Sequence, residues 1–254
     1  MKEAIDQQIK AIEQNNQVRV LFACESGSRA WGFASPDSDY DVRFIYAQPI
    51  NNYLSIRERK DTIELPVNQE LDVNGWDIRK ALQLFLKSNA PLYEWLQSPI
   101  VYKADSNFSS ELKELMPTYF SHRAGCHHYL SIVRNTFEND LQGKQVKLKR
   151  YFYALRSLLA GLWIVENKSL PPMEFGQLRT LITNNDWNES IDILLEQKKA
   201  ADEKALIDPV AFLQQWIEKT LVYCKEKADA LEPVKHDIAV LDVLFRKYIG
   251  NHDL

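Results

Sequence analysis

Cysteine is scarce in this 254-residue chain. Cys24, Cys126 and Cys224 stand about a hundred residues apart, so they offer neither a disulfide framework nor metal-ligand spacing. Glycine and proline are also sparse, at eight and ten residues, together roughly 7 per cent against an average near 12. So few turn-formers point to long helices and few tight hairpins. No apolar run reaches the ~18 residues that span a bilayer. The first residues, Met1-Lys-Glu-Ala-Ile-Asp, carry acids where a secretory signal would be apolar. Neither sign of charge dominates: 31 Lys+Arg against 35 Asp+Glu leave a net charge of −4. With 45% apolar and 26% charged residues the composition is globular and argues against disorder. The expectation is a soluble, cytoplasmic protein with no membrane contact, and nothing implies an obligate protein partner.

Hydrophobic periodicity divides the chain into two regimes. Ile5, Ile9 and Ile12 recur at helical spacing over residues 2–15. Residues 18–24 and 40–46 are β-branched and aromatic in the manner of strands, with a turn-rich loop between them. Shorter strands are expected at 61–65 and 70–74, around Pro66. Helical spacing then returns at Ile78, Leu82, Phe85 and Leu86, behind Asp77 as an N-cap. From Pro91 onward the pattern is almost wholly helical, with segments near 119–141, 146–166, 175–184, 188–199, 209–229 and 236–249. The expected architecture is α+β: a mixed sheet of about four or five strands within the first 75–80 residues, then helices. The division drawn from this pattern is a sheet-bearing domain over 1–100 and a helical domain over 101–254.

The chemistry-bearing stretch is Ser26-Gly-Ser-Arg-Ala-Trp-Gly-Phe-Ala-Ser-Pro-Asp-Ser-Asp-Tyr-Asp-Val. It puts Gly27-Ser28 at the end of one strand and Asp39-x-Asp41 at the start of the next. Strand alternation turns Asp39 and Asp41 to the same face. Two carboxylates so close repel unless a cation lies between them, and magnesium suits hard oxygen ligands shared with phosphate oxygens. Gly27 allows close backbone approach to a polyphosphate, and Ser28 offers an amide and a hydroxyl. Three rival motifs fail by counting. Phe33 and Ala34 stand where a Walker loop needs Lys and Ser/Thr. Val42 and Gln48 stand where a calcium loop needs Gly and Glu. No Gly-x-Gly-x-x-Gly occurs.

Gly27-Ser28, ten residues, then Asp39-x-Asp41 resembles the signature of the DNA polymerase β-like nucleotidyltransferase superfamily. Glu25-Ser-Gly-Ser-Arg-Ala-Trp-Gly-Phe, Gly75-Trp-Asp-Ile-Arg-Lys and the stretch from Ser88 to Tyr102 are similar to its RNA-ligase-associated type. The likeness continues through Lys149-Arg-Tyr-Phe-Tyr-Ala-Leu-Arg and Pro171-Pro-Met-Glu-Phe, covering about residues 18–180. It implies that Asp39 and Asp41 bind metal, two Mg²⁺ ions in all, and that a third carboxylate on an adjacent strand completes the site and activates the incoming hydroxyl. Asp72, between apolar neighbours in a strand, is the preferred third acid; Asp77 is the other candidate, although helix capping accounts for it. The resemblance also implies ATP or another nucleoside triphosphate as substrate, and an RNA end as acceptor in RNA repair. An acidic chain lacks the basic character usual in nucleic-acid binding, so a small molecule or a protein side chain stays open as acceptor.

Several further residues carry weaker signals. Residues 141–160 hold Lys144, Lys147, Lys149, Arg150 and Arg156 and no acid. Lys149, Tyr153 and Arg156 share a helical face, read either as a nucleotide-binding clamp or as a solvated surface. Arg29 and Lys80 follow motif elements closely and are further nucleotide-binding candidates. Cys126, His127 and His128 point in different directions on a helix and do not form a zinc site. Most tryptophans belong to the core; Trp31, beside the phosphate loop, is placed to stack on a base. The leading reading is a nucleotidyltransferase that releases pyrophosphate, and the alternative is a non-catalytic nucleotide-binding or regulatory module of the same fold. Replacing Asp39 and Asp41 together by Asn should abolish turnover and leave the fold intact, because relieving repulsion does not destabilise it. Wild-type rates in that double variant, read as pyrophosphate release, would refute the assignment.

Overall fold

The structure is a computed structural model and describes residues 1–66 and 70–250. From the N-terminus it contains α1 (Lys2–Asn16), β1 (Arg19–Ser26), α2 (Gly27–Trp31), β2 (Tyr40–Ala47), α3 (Ile50–Tyr53), β3 (Thr62–Glu64) and β4 (Leu71–Asp77). Next come α4 (Ile78–Leu86), α5 (Ala90–Gln97), β5 (Val101–Ala104), α6 (Ser106–Tyr119) and α7 (His122–Asp140). The remainder comprises β6 (Val146–Lys147), α8 (Leu148–Asn167), α9 (Phe175–Leu178), a 3-10 turn at Arg179–Leu181, α10 (Asn185–Ala200), β7 (Leu206–Ile207), α11 (Ala211–Asp229) and α12 (Ala239–Gly250). The class is α+β.

Two compact units emerge, and neither is a simple half of the chain. One comprises residues 1–27, 39–119 and 235–254; the other comprises 28–38 and 120–234. This departs from the boundary expected at residue 100. The chain leaves the sheet between β1 and β2 and returns to it as α12 at the end, excursions that composition does not register.

The first unit is built on a five-stranded mixed sheet in the order β3-β4-β2-β1-β5. β1 is antiparallel to β2 and β5, β3 is antiparallel to β4, and β2 and β4 run parallel. The fifth strand corrects the expectation of strands confined to the first 75–80 residues. Residues 101–104 are too short and too mixed for a periodicity to show, and they become a strand by pairing with β1. One face of the sheet is covered by α1, whose Ile5, Ile9 and Ile12 pack on Val20, Ala23, Val42, Phe44, Tyr46 and Val73. Burying each isoleucine contributes at most about 1.5–3 kcal/mol. Gly75 lies opposite Phe44 in the β2–β4 ladder, and a Cβ there would come within 2.2 Å of the Phe44 ring. On the other face Trp76 stacks on Trp95 of α5 with ring centroids 4.0 Å apart.

In the second unit α7 and α8 pair and α11 packs on both, around Leu130, Val133, Leu155, Leu158, Leu159 and Ile217. The two-residue strands β6 and β7 pair antiparallel. Cys126 and Cys224 are buried free thiols, pushed up to about 12 by desolvation. No helix among the described residues is long and apolar enough to cross a membrane.

β4 runs through Gly75-Trp76 to Asp77, longer than the expected 70–74. Asp77 caps α4: its Oδ1 accepts from the Arg79 amide at 2.8 Å, and its Oδ2 accepts from Tyr53 Oη at 2.8 Å and Gln48 Nε2 at 3.0 Å. Burial pushes this carboxyl above its ordinary value in spite of those donors. A raised folded-state value means stability that is present below about pH 4 and lost as pH rises through the folded-state value. Asp77→Ala should therefore cost about 2 kcal/mol, from the lost cap and the stranded donors. The loss should be larger in acid than at neutral pH, with turnover retained. Melting curves and rates across pH check both statements.

Candidate active site

The sheet brings together acids that are far apart in sequence. In the parallel β2–β4 ladder Asp41 lies directly opposite Asp72. Alternation puts Asp41, Arg43, Asp72 and Asn74 on one face, and Asp77, five positions beyond Asp72, on the other. Arg43 joins the two acids: its Nη2 donates to Asp72 Oδ2 at 2.7 Å and to Asp41 Oδ1 at 3.1 Å. Its Nη1 also donates to the Asp72 carbonyl at 3.0 Å. The Asp41 and Asp72 side chains remain 30% and 34% exposed, so solutes reach them. Asp39 is exposed just before β2 begins.

Glu25 and Gly27 hold Asp41 from the β1 side. Glu25 is fully buried; its Oε1 accepts from the Asp41 amide at 2.7 Å, and its other oxygen accepts from Tyr102 Oη. Gly27 has φ of +67°, and a Cβ built on it would lie 2.2 Å from Asp41 Oδ2. Only glycine tolerates both the backbone conformation and the contact. The Gly-Ser word and the Asp-x-Asp word are thus mechanically one feature, in which the first leaves room for the second.

The donor set suits a hard divalent cation. Magnesium commonly takes one or two carboxylates and completes its shell with water and phosphate oxygens. Asp41 and Asp72 supply such a pair, with the Arg43 guanidinium between them as a standing positive charge. Among the described residues no group of three or more His, Cys, Asp or Glu side chains is gathered for a metal.

The connection between the two words belongs to the helical unit and is tied down within it. Arg29 donates to the Ser38 carbonyl at 2.5 Å. Lys198, only 2% exposed, donates to Ser35 Oγ at 2.8 Å. Ser38 Oγ donates to Glu203 Oε1 at 2.9 Å, and the Glu203 amide donates to Asp37 at 3.1 Å. Lys149 donates to the other Glu203 oxygen at 2.9 Å. Tyr153 meets the Trp31 ring edge-on at 5.5 Å, and the Arg156 guanidinium lies over that ring at 4.4 Å while Nε donates to the Met173 carbonyl. The face bearing Lys149, Tyr153 and Arg156 is therefore no solvated surface. It lies against the Ser28–Ser38 loop, and Arg156 is buried.

Lys80 is elsewhere. It follows the far end of β4, beyond Asp77, and pairs with Asp61 at 3.0 Å. From Asp72 to Asp77 the strand alone covers about 16 Å at ~3.3 Å per residue. The structure does not bring Lys80 to the acids. Two residues of the acid cluster escaped sequence reasoning, Arg43 and Glu25. Arg43 had a usable signal, standing two positions after Asp41 and so on its face. Glu25 stands in a word shared with the family, but its role depends on the pairing of β1 with β2, which the word does not show.

A model of the RNA repair pathway DNA polymerase beta family, RlaP, matches residues 1–247. The chain belongs to that family. It is 41% identical over 239 residues to the uncharacterized protein YcgL of Bacillus subtilis (strain 168), covering 94% of this chain and 92% of the relative. A crystal structure of a nucleotidyltransferase-like protein from Exiguobacterium sibiricum 255-15 aligns over 98% of this chain and 81% of its own, at 12% identity and a TM-score of 0.32. That structural likeness is too low to carry an argument. Membership of the family agrees with the superfamily read from Gly27-Ser28 and Asp39-x-Asp41.

Gly27→Ala tests the contact with Asp41. The αL backbone should cost about 1–2 kcal/mol, a modest fall in melting temperature. Displacing the carboxylate by about an ångström should cost on the order of a hundredfold in rate. Unchanged turnover in a folded Gly27→Ala protein would remove Asp41 from the machinery.

Proposed function

We propose that the protein is a Mg²⁺-dependent nucleotidyltransferase that moves a nucleoside monophosphate from a nucleoside triphosphate to an acceptor hydroxyl, with an RNA end as the acceptor. The observation that supports this reading best is the Asp41–Asp72 pair on adjacent parallel strands, at the end of the sheet where Gly27 meets Asp41. Asp41 and Asp72 would hold the metal, two ions when fully loaded, and Asp39 would join them on loading, since among the described residues the three acids are not gathered. When bound, the metal supplies charge neutralisation for the phosphates and the leaving pyrophosphate.

The chain's own residues do the rest. Asp72 takes the proton from the acceptor hydroxyl as its oxygen forms a bond to the α-phosphorus and the bond to pyrophosphate breaks. Arg43 fixes one Asp72 oxygen, so the carboxylate meets the acceptor in a single orientation. Ser28 and Arg29, next to Gly27 in the chain, are the triphosphate ligands of this reading. Lys149, Tyr153 and Arg156 act through the loop they support, by way of Glu203 and Trp31. Intact acids in all three positions favour turnover over a purely nucleotide-binding role.

Asp72→Ala separates these roles from capping by Asp77. A lost general base should lower the rate of pyrophosphate release by about a hundredfold or more, with the melting temperature little changed. Labelled ATP, GTP, CTP or UTP with magnesium and RNA should transfer label to the RNA fraction. An active Asp72→Ala protein, or wild-type protein that releases no pyrophosphate with any of the four nucleotides, would sink the proposal.

A further inference from the structure

Within the sheet unit, at the end of β2 and β4 opposite to Asp41 and Asp72, two cavities of about 430 and 400 Å³ adjoin and share Gln48, Arg59 and Lys60. Neither contains an acid of the Asp39–Asp41–Asp72 set. The second is rimmed by Arg57, Arg79 and Lys80 as well. In a chain of net charge −4, five cations against three acids, Glu58, Asp61 and Asp77, leave this depression with a local excess of positive charge. Of the four acids lining the two cavities, Asp77 takes its three donors and Asp61 pairs with Lys80, while Glu58 and Glu64 are exposed. Arg57, Arg59 and Lys60 are exposed, and among the described residues no ion pair occupies them.

We infer that this double cavity is a binding site for the phosphodiester backbone of a single-stranded RNA, engaging the acceptor away from its reacting end. The inference rests on the proposed transfer to RNA and adds a second place where that substrate is held. The shape favours a strand over a small anion. Arg59 and Lys60 stand where two cavities meet, so phosphates on either side of them are served at once. The donors are long, exposed side chains, the kind that track a backbone without reading its sequence. The Arg79 guanidinium lies 5.1 Å from the Tyr53 ring and 5.2 Å from the Phe245 ring, giving the rim a cation–aromatic surface of the sort unstacked bases use. The distance along β4, about 16 Å by strand rise, separates this site from the acids. An acceptor must therefore be several nucleotides long to occupy both.

The test is the triple variant Arg57→Ala, Arg59→Ala, Lys60→Ala, none of whose residues belongs to the acid cluster or its loop. Binding of a labelled single-stranded RNA is measured by fluorescence anisotropy across a salt series, beside ATP binding by calorimetry and pyrophosphate release with a dinucleotide acceptor. The expected result is RNA affinity at least tenfold weaker and a salt slope reduced by about two, since each single-strand phosphate contact contributes ~0.7. Binding of ATP and transfer to the dinucleotide should be unchanged. RNA affinity and slope equal to wild type would overturn the site. So would wild-type protein that binds no RNA, a result compatible with transfer to some other acceptor if pyrophosphate is still released. A variant that loses inorganic pyrophosphate or ATP binding while keeping RNA would show a small-anion site and also overturn the inference. Loss of pyrophosphate release in the wild type itself counts against the proposed function, not against the groove.

Discussion

Two carboxylates held side by side on neighbouring strands must be neutralised, and much of the sheet unit is arranged around that requirement. The parallel register puts Asp41 opposite Asp72 with no freedom to separate. Arg43, on the same face, reaches both and supplies a positive charge whether or not a metal is present. Glu25 anchors the Asp41 backbone from β1, and the missing side chain of Gly27 leaves the Asp41 carboxylate room to sit against the chain. Changing any one of these four shifts the others, because every one of them touches Asp41.

A guanidinium between two acids also shapes how the site would take a divalent cation. Charge-assisted hydrogen bonds to Arg43 hold one oxygen of each carboxylate in place. The acids stay about one-third exposed, which leaves them open to water, metal and phosphate. A fully buried pair would have paid a desolvation penalty that its mutual attraction to Arg43 need not have repaid.

The Ser28–Ser38 loop achieves its order by a different route. It lacks regular structure after α2, yet Lys198, Glu203, Lys149 and Arg29 give it a set of directed bonds, and Trp31 and Phe33 give it packing on Tyr153 and Phe152. Lys198 is buried, and desolvation lowers its affinity for the proton. Glu203 is held below the usual carboxylate range by the hydrogen bonds of Lys149 and Ser38, which outweigh its own burial cost. A loop so fixed presents Ser28 and Arg29 in one conformation.

What could be read directly from the sequence was local. Helical spacing in α1 and in the long helices α7, α8 and α11, the strands β1 and β2, the capping role of Asp77 and the Gly-Ser and Asp-x-Asp words all depend on neighbours a few residues away. The choice between Asp72 and Asp77 as neighbour of Asp41 was left to the tertiary structure. Both lie on β4, and only the register and the odd-or-even face separate them. The same holds for Lys80, which follows a motif word closely but lies a strand's length from the acids. Arg156 looked like a phosphate partner by its helical face, and packing turned it into the support of a tryptophan. Strand β5, Glu25 and the division into two units depend on pairings between distant segments. Periodicity carries no information about which strand a segment joins, so side-chain pattern determined the elements and chain pairing decided which charges meet.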